Sequence, residues 1–300
     1  THVFERGNWL VKGKEVSSAV PAVFGYTSTS GKSDRRDLAN WLSSTLNPLT
    51  ARVMVNRVWE QLFGKGIVET LEDFGSQGIS PTHQELLDWL SWTFMHEDKW
   101  SVKKLIRRIV LSATYRQSSA VDAEKGKTDP DNKWYARGPR HRLSAEQIRD
   151  QALYVAGVLC TKKNGPGIMP YQPDGIWSSP YNGDVWTQTK GEDQYRRAVY
   201  IFWKRSAAYP STILFDGPGR QVCVARRVRT NTPLQALTLL NDPAYIDIAR
   251  QFAFRLKRQA GKLPEKQIML GFRLATGRAP SAESLRTFLD LYRSSVSAFR

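Results

Sequence analysis

The chain has 300 residues, of which 41% are hydrophobic and ten are tryptophan, and 44 Lys+Arg against 28 Asp+Glu give it a net charge of +16. That length suits one large or two ordinary globular domains, and the aromatic content argues for a real core and against a disordered tail. No apolar run reaches the roughly 20 residues that cross a bilayer, and the surplus of positive charge points either to a polyanionic partner or to a solubilising surface.

The opening THVFERGNWLVKGKEV has neither an initiator Met nor an apolar signal region, as expected of a piece cut from a longer chain. Residues 1–32 read as an extended, turn-rich arm. Helical signals then follow in series. SDRRDLANWLSS offers Ser33 as cap and sets Leu38, Trp41 and Leu42 on one face. NPLTARVMVNRVWEQLFGKG offers Asn47 as cap, Pro48 at the first helical position and Val55, Val58, Trp59 and Leu62 as its stripe, with Gly64 or Gly66 as the stop. Ser80 and Pro81 repeat the cap-then-proline signature. Ser101 opens WSVKKLIRRIVLSATYRQS, with Leu105, Ile109 and Ser112 to one side. After a polar stretch over 120–139, Ser144 and Gln147 form a capping box for RLSAEQIRDQALYVAGVL.

Residues 161–195 are irregular and rich in aromatics, Gly and Pro, and Tyr171, Trp177, Tyr181 and Trp186 argue against disorder there. RRAVYIFWKRS leans to helix over strand. Thr232, Pro233 and Gln235 make a further capping box, with Leu234, Leu237 and Leu240 as a buried stripe. Asp242 and Pro243 start another helix; Gly277 ends the next, and Ser281 caps the last. The expected fold is mainly α: an extended arm (1–32), a helical region (33–160), the aromatic loop (161–195) and a second helical region (196–300) packed on the first as one domain.

Four histidines share no H-x-x-x-H or H-E-x-x-H spacing and no C-x-x-C exists, so no metal site is expected and covalent haem has no motif here. No phosphate-binding glycine loop follows a strand, and no G-x-S-x-G elbow is present. Cys160 and Cys223 either pair or remain two thiols. Among carboxylates, Glu146 and Asp150 lie four apart on one helix face, a spacing open to acid–base work on glycosides. Neighbouring arginines make structural ion pairs the competing reading. Asp216 is a third candidate. His83 lies near a helix N-terminus, where the dipole favours the neutral imidazole that a general base requires. No helix gathers Arg and Lys on a face with a clear turn partner, which argues against duplex DNA recognition.

The segment RRVRTNTPLQALTLLND gives the best ligand case. Arg226, Arg227 and Arg229 supply guanidinium forks for carboxylate, sulfate or phosphate. Asn231 and the N–H groups at the following helix start add a second anion-binding element. The competing reading is an internal network in which Asp216 neutralises an arginine.

Several runs, in this order, carry a resemblance: NPLTARVMVNRVWEQLFGKGIVET, DFGSQGISPTHQELLDWL, WSVKKLIRRIVLSATYRQSS, DPDNKWYARGPRHRLSAEQIRDQAL and FDGPGRQVCVARRVRTNTPLQALTLLND. Together they resemble the domain of unknown function 1553 family, the C-terminal domain of large planctomycete-type proteins that often carry a c-type cytochrome segment upstream. The resemblance implies an exported protein of the periplasm or cell surface, with signal and haem c motifs in upstream domains of the parent chain. It implies no reaction. The family pattern around FDGPGRQVC has a polar or acidic residue at 219 and an acidic one at 221, where this chain has Gly219 and Gln221. If an acidic residue at 221 serves catalysis, the glutamine here would impair it; if it only pairs with the arginines, glutamine keeps the hydrogen bond and leaves more positive charge for an anion, the reading that suits an anion site better.

The expected function is therefore an accessory domain that binds an anionic partner, a sulfated or acidic polysaccharide or an acidic protein surface. Arg226, Arg227, Arg229 and Asn231 would hold the anion, while Trp177 and Trp186 either stack on sugar rings or anchor their loop. The alternatives are a hydrolase or lyase using Asp216, Glu146 or Asp150 with His83, and a structural or protein-docking domain.

Overall fold

A computed structural model of the chain describes residues 1–25, 33–177 and 185–299; Tyr181 of the aromatic loop lies outside them. The chain divides into two compact units, Thr1–His141 and Arg142–Arg300. Eleven α-helices and a single two-stranded hairpin occur among the described residues, so the fold is mainly α.

The first unit opens with β1 (His2–Phe4) and β2 (Lys12–Glu15), paired antiparallel with His2 opposite Glu15. The expected arm is thus partly a hairpin. Its strands are three and four residues long and too polar, as in KGKE, for apolar alternation to reveal them. Helix α1 (Arg35–Leu42) is capped by Asp34 rather than Ser33. The Asp34 carboxylate accepts from the N–H groups of Arg36 and Asp37 at 2.7 and 3.1 Å, and Asp37 accepts from Asp34 N–H at 2.9 Å. This reciprocal pairing fixes the start one residue later.

Helix α2 (Thr50–Phe63) follows a turn in which Asn47 Oδ1 accepts from Leu49 and Thr50 N–H, and Gly64 ends it with φ 87°. Helix α3 (Gln84–His96) starts three residues after the Ser80–Pro81 signature, because Thr82 N–H is held by Ile67 carbonyl at 2.9 Å. Ser101 caps α4 (Val102–Val110) as the sequence predicts, and α5 (Ala123–Thr128) is short. Val55, Trp59 and Phe63 of α2, Leu87, Leu90 and Phe94 of α3, and Leu105 and Ile109 of α4 form the core of this unit.

The second unit contains α6 (Ala145–Ala156), α7 (Pro210–Leu214), α8 (Pro233–Asn241), α9 (Pro243–Ala260), α10 (Pro264–Thr276) and α11 (Ala282–Ala298). The Ser144–Gln147 and Thr232–Gln235 capping boxes, the Asp242 and Ser281 caps and the left-handed Gly277 stop fall where the sequence places them. Leu153, Ala156, Phe215, Tyr245 and Ile248 form a core between α6, α9 and the end of α7.

Two local expectations are corrected. RRAVYIFWKRS is no helix: it has one 3-10 turn, Ala198–Tyr200, and a parallel bridge from Ile201 to Ile168. Its side chains are organised by the 161–195 loop instead of by their own period. The leucine stripe of α8 is not buried either. Leu234, Leu237 and Leu240 are 59%, 52% and 72% exposed, and the inward residue is Gln235.

Candidate functional site

Asp216 sits at φ 62° just after α7, a left-handed conformation that Asp tolerates better than most residues. There its carboxylate accepts from Arg142 Nη2 and from both Thr230 N–H and Thr230 Oγ1–H, the last two at 2.7 Å. Thr230 Oγ1 also accepts from Gln235 Nε2 at 3.2 Å, and that amide donates to Leu214 carbonyl at 2.9 Å. Asp216 and Gln235 thus tie the 217–232 loop to α7 and α8.

Arg227 makes a bidentate pair with Glu146 of α6, at 2.6 and 3.0 Å. Burial pushes the Glu146 carboxyl up, but the Arg227 bonds and charge outweigh it and hold the group below its usual range. Asp150, one turn on, accepts from Arg197 Nε at 3.1 Å and Ala198 N–H at 2.6 Å. Arg226 and Asn231 are exposed and Arg229 is half-buried; Arg226 and Arg229 both have interactions within the protein. Arg220 lies over the Trp203 ring, 4.4 Å from its centroid.

The other candidates take local roles. His83, in the first unit, occupies the N-cap position of α3 without capping it; its Nδ1 is 3.0 Å from Thr82 Oγ1 and its ring lies 5.0 Å from that of Tyr135. Trp177 is buried and donates Nε1–H to Ala207 carbonyl, while Trp186 donates to Pro170 carbonyl. The two rings meet edge to face at 5.4 Å. Cys160 and Cys223 are both unbonded thiols.

A cavity of about 330 Å³ opens in the second unit, lined by residues that local sequence pattern does not bring together. Arg149 of α6 lies in it, buried, with Nη1 and Nη2 donating to the carbonyls of Arg196 and Gln194 at 2.7 and 2.8 Å. Tyr171, Tyr195 and Tyr209 also line it, with Gln188, Gln194 and Arg250 as further polar groups. Tyr195 donates to Asp247 Oδ2 at 2.7 Å, and Arg250 pairs with Asp247 Oδ1 at 2.7 Å. Burial, then the bond to Asp247, pushes the Tyr195 hydroxyl up to about 12; burial pushes Tyr209 to about 12 as well. The legible signal was Arg149 itself. It shares the inward stripe Ala145, Arg149, Leu153 and Ala156, where a charge is out of place unless it has something to hold.

Residues 142–300 carry 24 Lys+Arg against 12 Asp+Glu, a net +12, whereas residues 1–141 carry 20 against 16, a net +4. Among the described residues no group of three or more His, Cys, Asp or Glu is placed to hold a metal ion, and no helix is long and apolar enough to cross a membrane.

Fold and site together define a mainly α-helical protein whose positive charge is concentrated in its second unit. The family model for a protein of unknown function (DUF1553) matches residues 34–292, and the chain belongs to that family. No curated protein and no solved structure matches the chain.

Proposed function

We propose that this protein is an extracytoplasmic accessory domain whose basic second unit engages an anionic partner, best a sulfated or acidic polysaccharide. The observation that carries this is segment 217–231, a largely exposed loop with Arg220, Arg226, Arg227 and Arg229 and no Asp or Glu. It leads into the N-terminus of α8, and the unit around it has a net charge of +12. A polyanion meets such a surface through many weak, salt-sensitive contacts without requiring any arginine to be unpaired. A periplasmic or cell-surface location, with haem c in upstream domains, follows from the family resemblance and belongs to the same proposal.

The hydrolase or lyase alternative is less well supported. Glu146, Asp150 and Asp216 each accept from an arginine, and Asp150 and Asp216 also from a backbone N–H, the usual state of a holding carboxylate. None of the three lines the cavity described above.

Calorimetric titration of the chain with a sulfated polysaccharide and its desulfated counterpart tests the proposal, beside an Arg226→Ala/Arg229→Ala variant checked for folding. Saturable, sulfate-dependent binding that weakens with salt and falls about tenfold in the variant is expected. Equal binding of the desulfated polymer, or indifference to the variant, would overturn it.

A further inference from the structure

The cavity of the second unit is separate in its residues from the 217–231 loop, and nothing in the proposal above requires it. We infer that it is a second binding site, and that it takes a small acidic sugar, a single polar ring bearing a carboxylate.

The first argument is charge. The guanidinium of Arg149 is buried, and its acceptors among the described residues are the two carbonyl oxygens of Arg196 and Gln194. Besides these carbonyl dipoles the cation feels the nearby charge of Asp150, yet desolvation still outweighs its partners, so it remains incompletely compensated. The nearest carboxylate in sequence, Asp150, is engaged by Arg197 and Ala198 N–H. Asp247 lines the same cavity but is shared by Tyr195 and Arg250. Tyr195 and Tyr209 supply no charge near neutrality, since burial, joined at Tyr195 by the bond to Asp247, pushes both hydroxyls up to about 12. The lining therefore presents two guanidiniums against one committed carboxylate, and a ligand acid group completes the balance.

The second argument is the rest of the lining. Gln188 offers an amide donor and acceptor, and Gln194, whose Nε2 already donates to Gly191 carbonyl at 3.0 Å, offers its amide oxygen and second N–H, the pairing that sugar hydroxyls use. Tyrosine rings with Leu153, Pro170 and Ile248 offer apolar faces for C–H groups. A bare inorganic anion would leave those faces unused, and a purely apolar acid would leave the amides unmatched. The volume, about 330 Å³, lies at the lower end of small-ligand sites.

Titration of the chain with glucuronate, with glucose and inorganic sulfate as parallel probes, tests this by calorimetry and by NMR shift changes. Glucuronate should saturate, and glucose and sulfate should each bind at least about tenfold more weakly. Arg149→Met should abolish saturation. Because that variant can fail to fold, Arg250→Ala and Gln188→Ala, both at exposed positions, form a second arm; each should weaken glucuronate, Arg250→Ala about tenfold. Lack of saturation, glucose or sulfate binding as tightly as glucuronate, or indifference to Arg250→Ala in a folded protein would overturn the inference. Polymer binding through Arg226 and Arg229 is read with different variants, so either result can fail alone.

Discussion

Glu146 and Asp150 lie four residues apart on α6, yet each is claimed by a different distant arginine: Arg227, 81 residues on, and Arg197, 47 residues on. Such partners leave no trace in local spacing, so the sequence favoured ion pairing through the neighbouring Arg142 and Arg149 but could not name the arginines that make it. The same holds for Asn56, fully buried in α2, whose amide exchanges two 2.9 Å bonds with the main chain of Val68. Gly66 belongs with that exchange, since a Cβ there would stand 2.4 Å from Val68 carbonyl oxygen and 2.8 Å from Asn56 Nδ2. The Glu146 pair has a pH consequence. Its folded-state pKa is depressed, so its contribution is present above the unfolded value of about 4.3 and lost as pH falls through the folded value. The thermal midpoint should therefore drop more steeply below about pH 4.3 in the wild type than in Glu146→Gln, which has no proton to take up. Parallel slopes in a melting series from neutral to acid pH would remove Glu146 from the acid response.

Helix starts and stops were the most legible elements. Capping boxes at Ser144 and Thr232, the caps at Ser101, Asp242 and Ser281 and the glycine stop at 277 depend on groups within four residues of one another, which sequence displays directly. Which face of a helix turns inward depends on what it meets, and α8 reverses the apolar expectation for that reason. Gln235 accepts from Thr232 N–H at 3.4 Å and donates to Leu214 carbonyl and Thr230, so the inward position is set by hydrogen bonding to the ends of neighbouring segments. Two substitutions separate the readings. Gln235→Ala should cost about 2 kcal/mol by leaving buried backbone groups unmatched, whereas Leu237→Ser should lie within about 0.5 kcal/mol of wild type. Denaturant midpoints showing the opposite order would return the leucines to the interior.

At the scale of the whole molecule, helical class and basic character were readable from composition and period, while the cavity was not. Its lining comes from α6, from the loop over 170–195, from Tyr209 and from α9, segments as far as a hundred residues apart. Only the fold brings Arg149 and Arg250 to one hollow. The uneven division of charge was also hidden in the total, because a sum of +16 does not show that +12 of it falls in one unit and +4 in the other. That charge has a second effect through the outward leucines of α8. At low ionic strength like-charged copies repel, which keeps an exposed Leu234–Leu240 face from meeting another. Added salt shortens the Debye length from about 10 Å at 0.1 M to about 3 Å at 1 M and removes that protection, while apolar attraction remains. Light scattering should therefore rise with salt, and rise less in Leu237→Ser/Leu240→Ser. Salt that strips a polyanion from the arginines would thus drive the released molecules together, leaving a bounded range of ionic strength in which the protein is both free and dispersed.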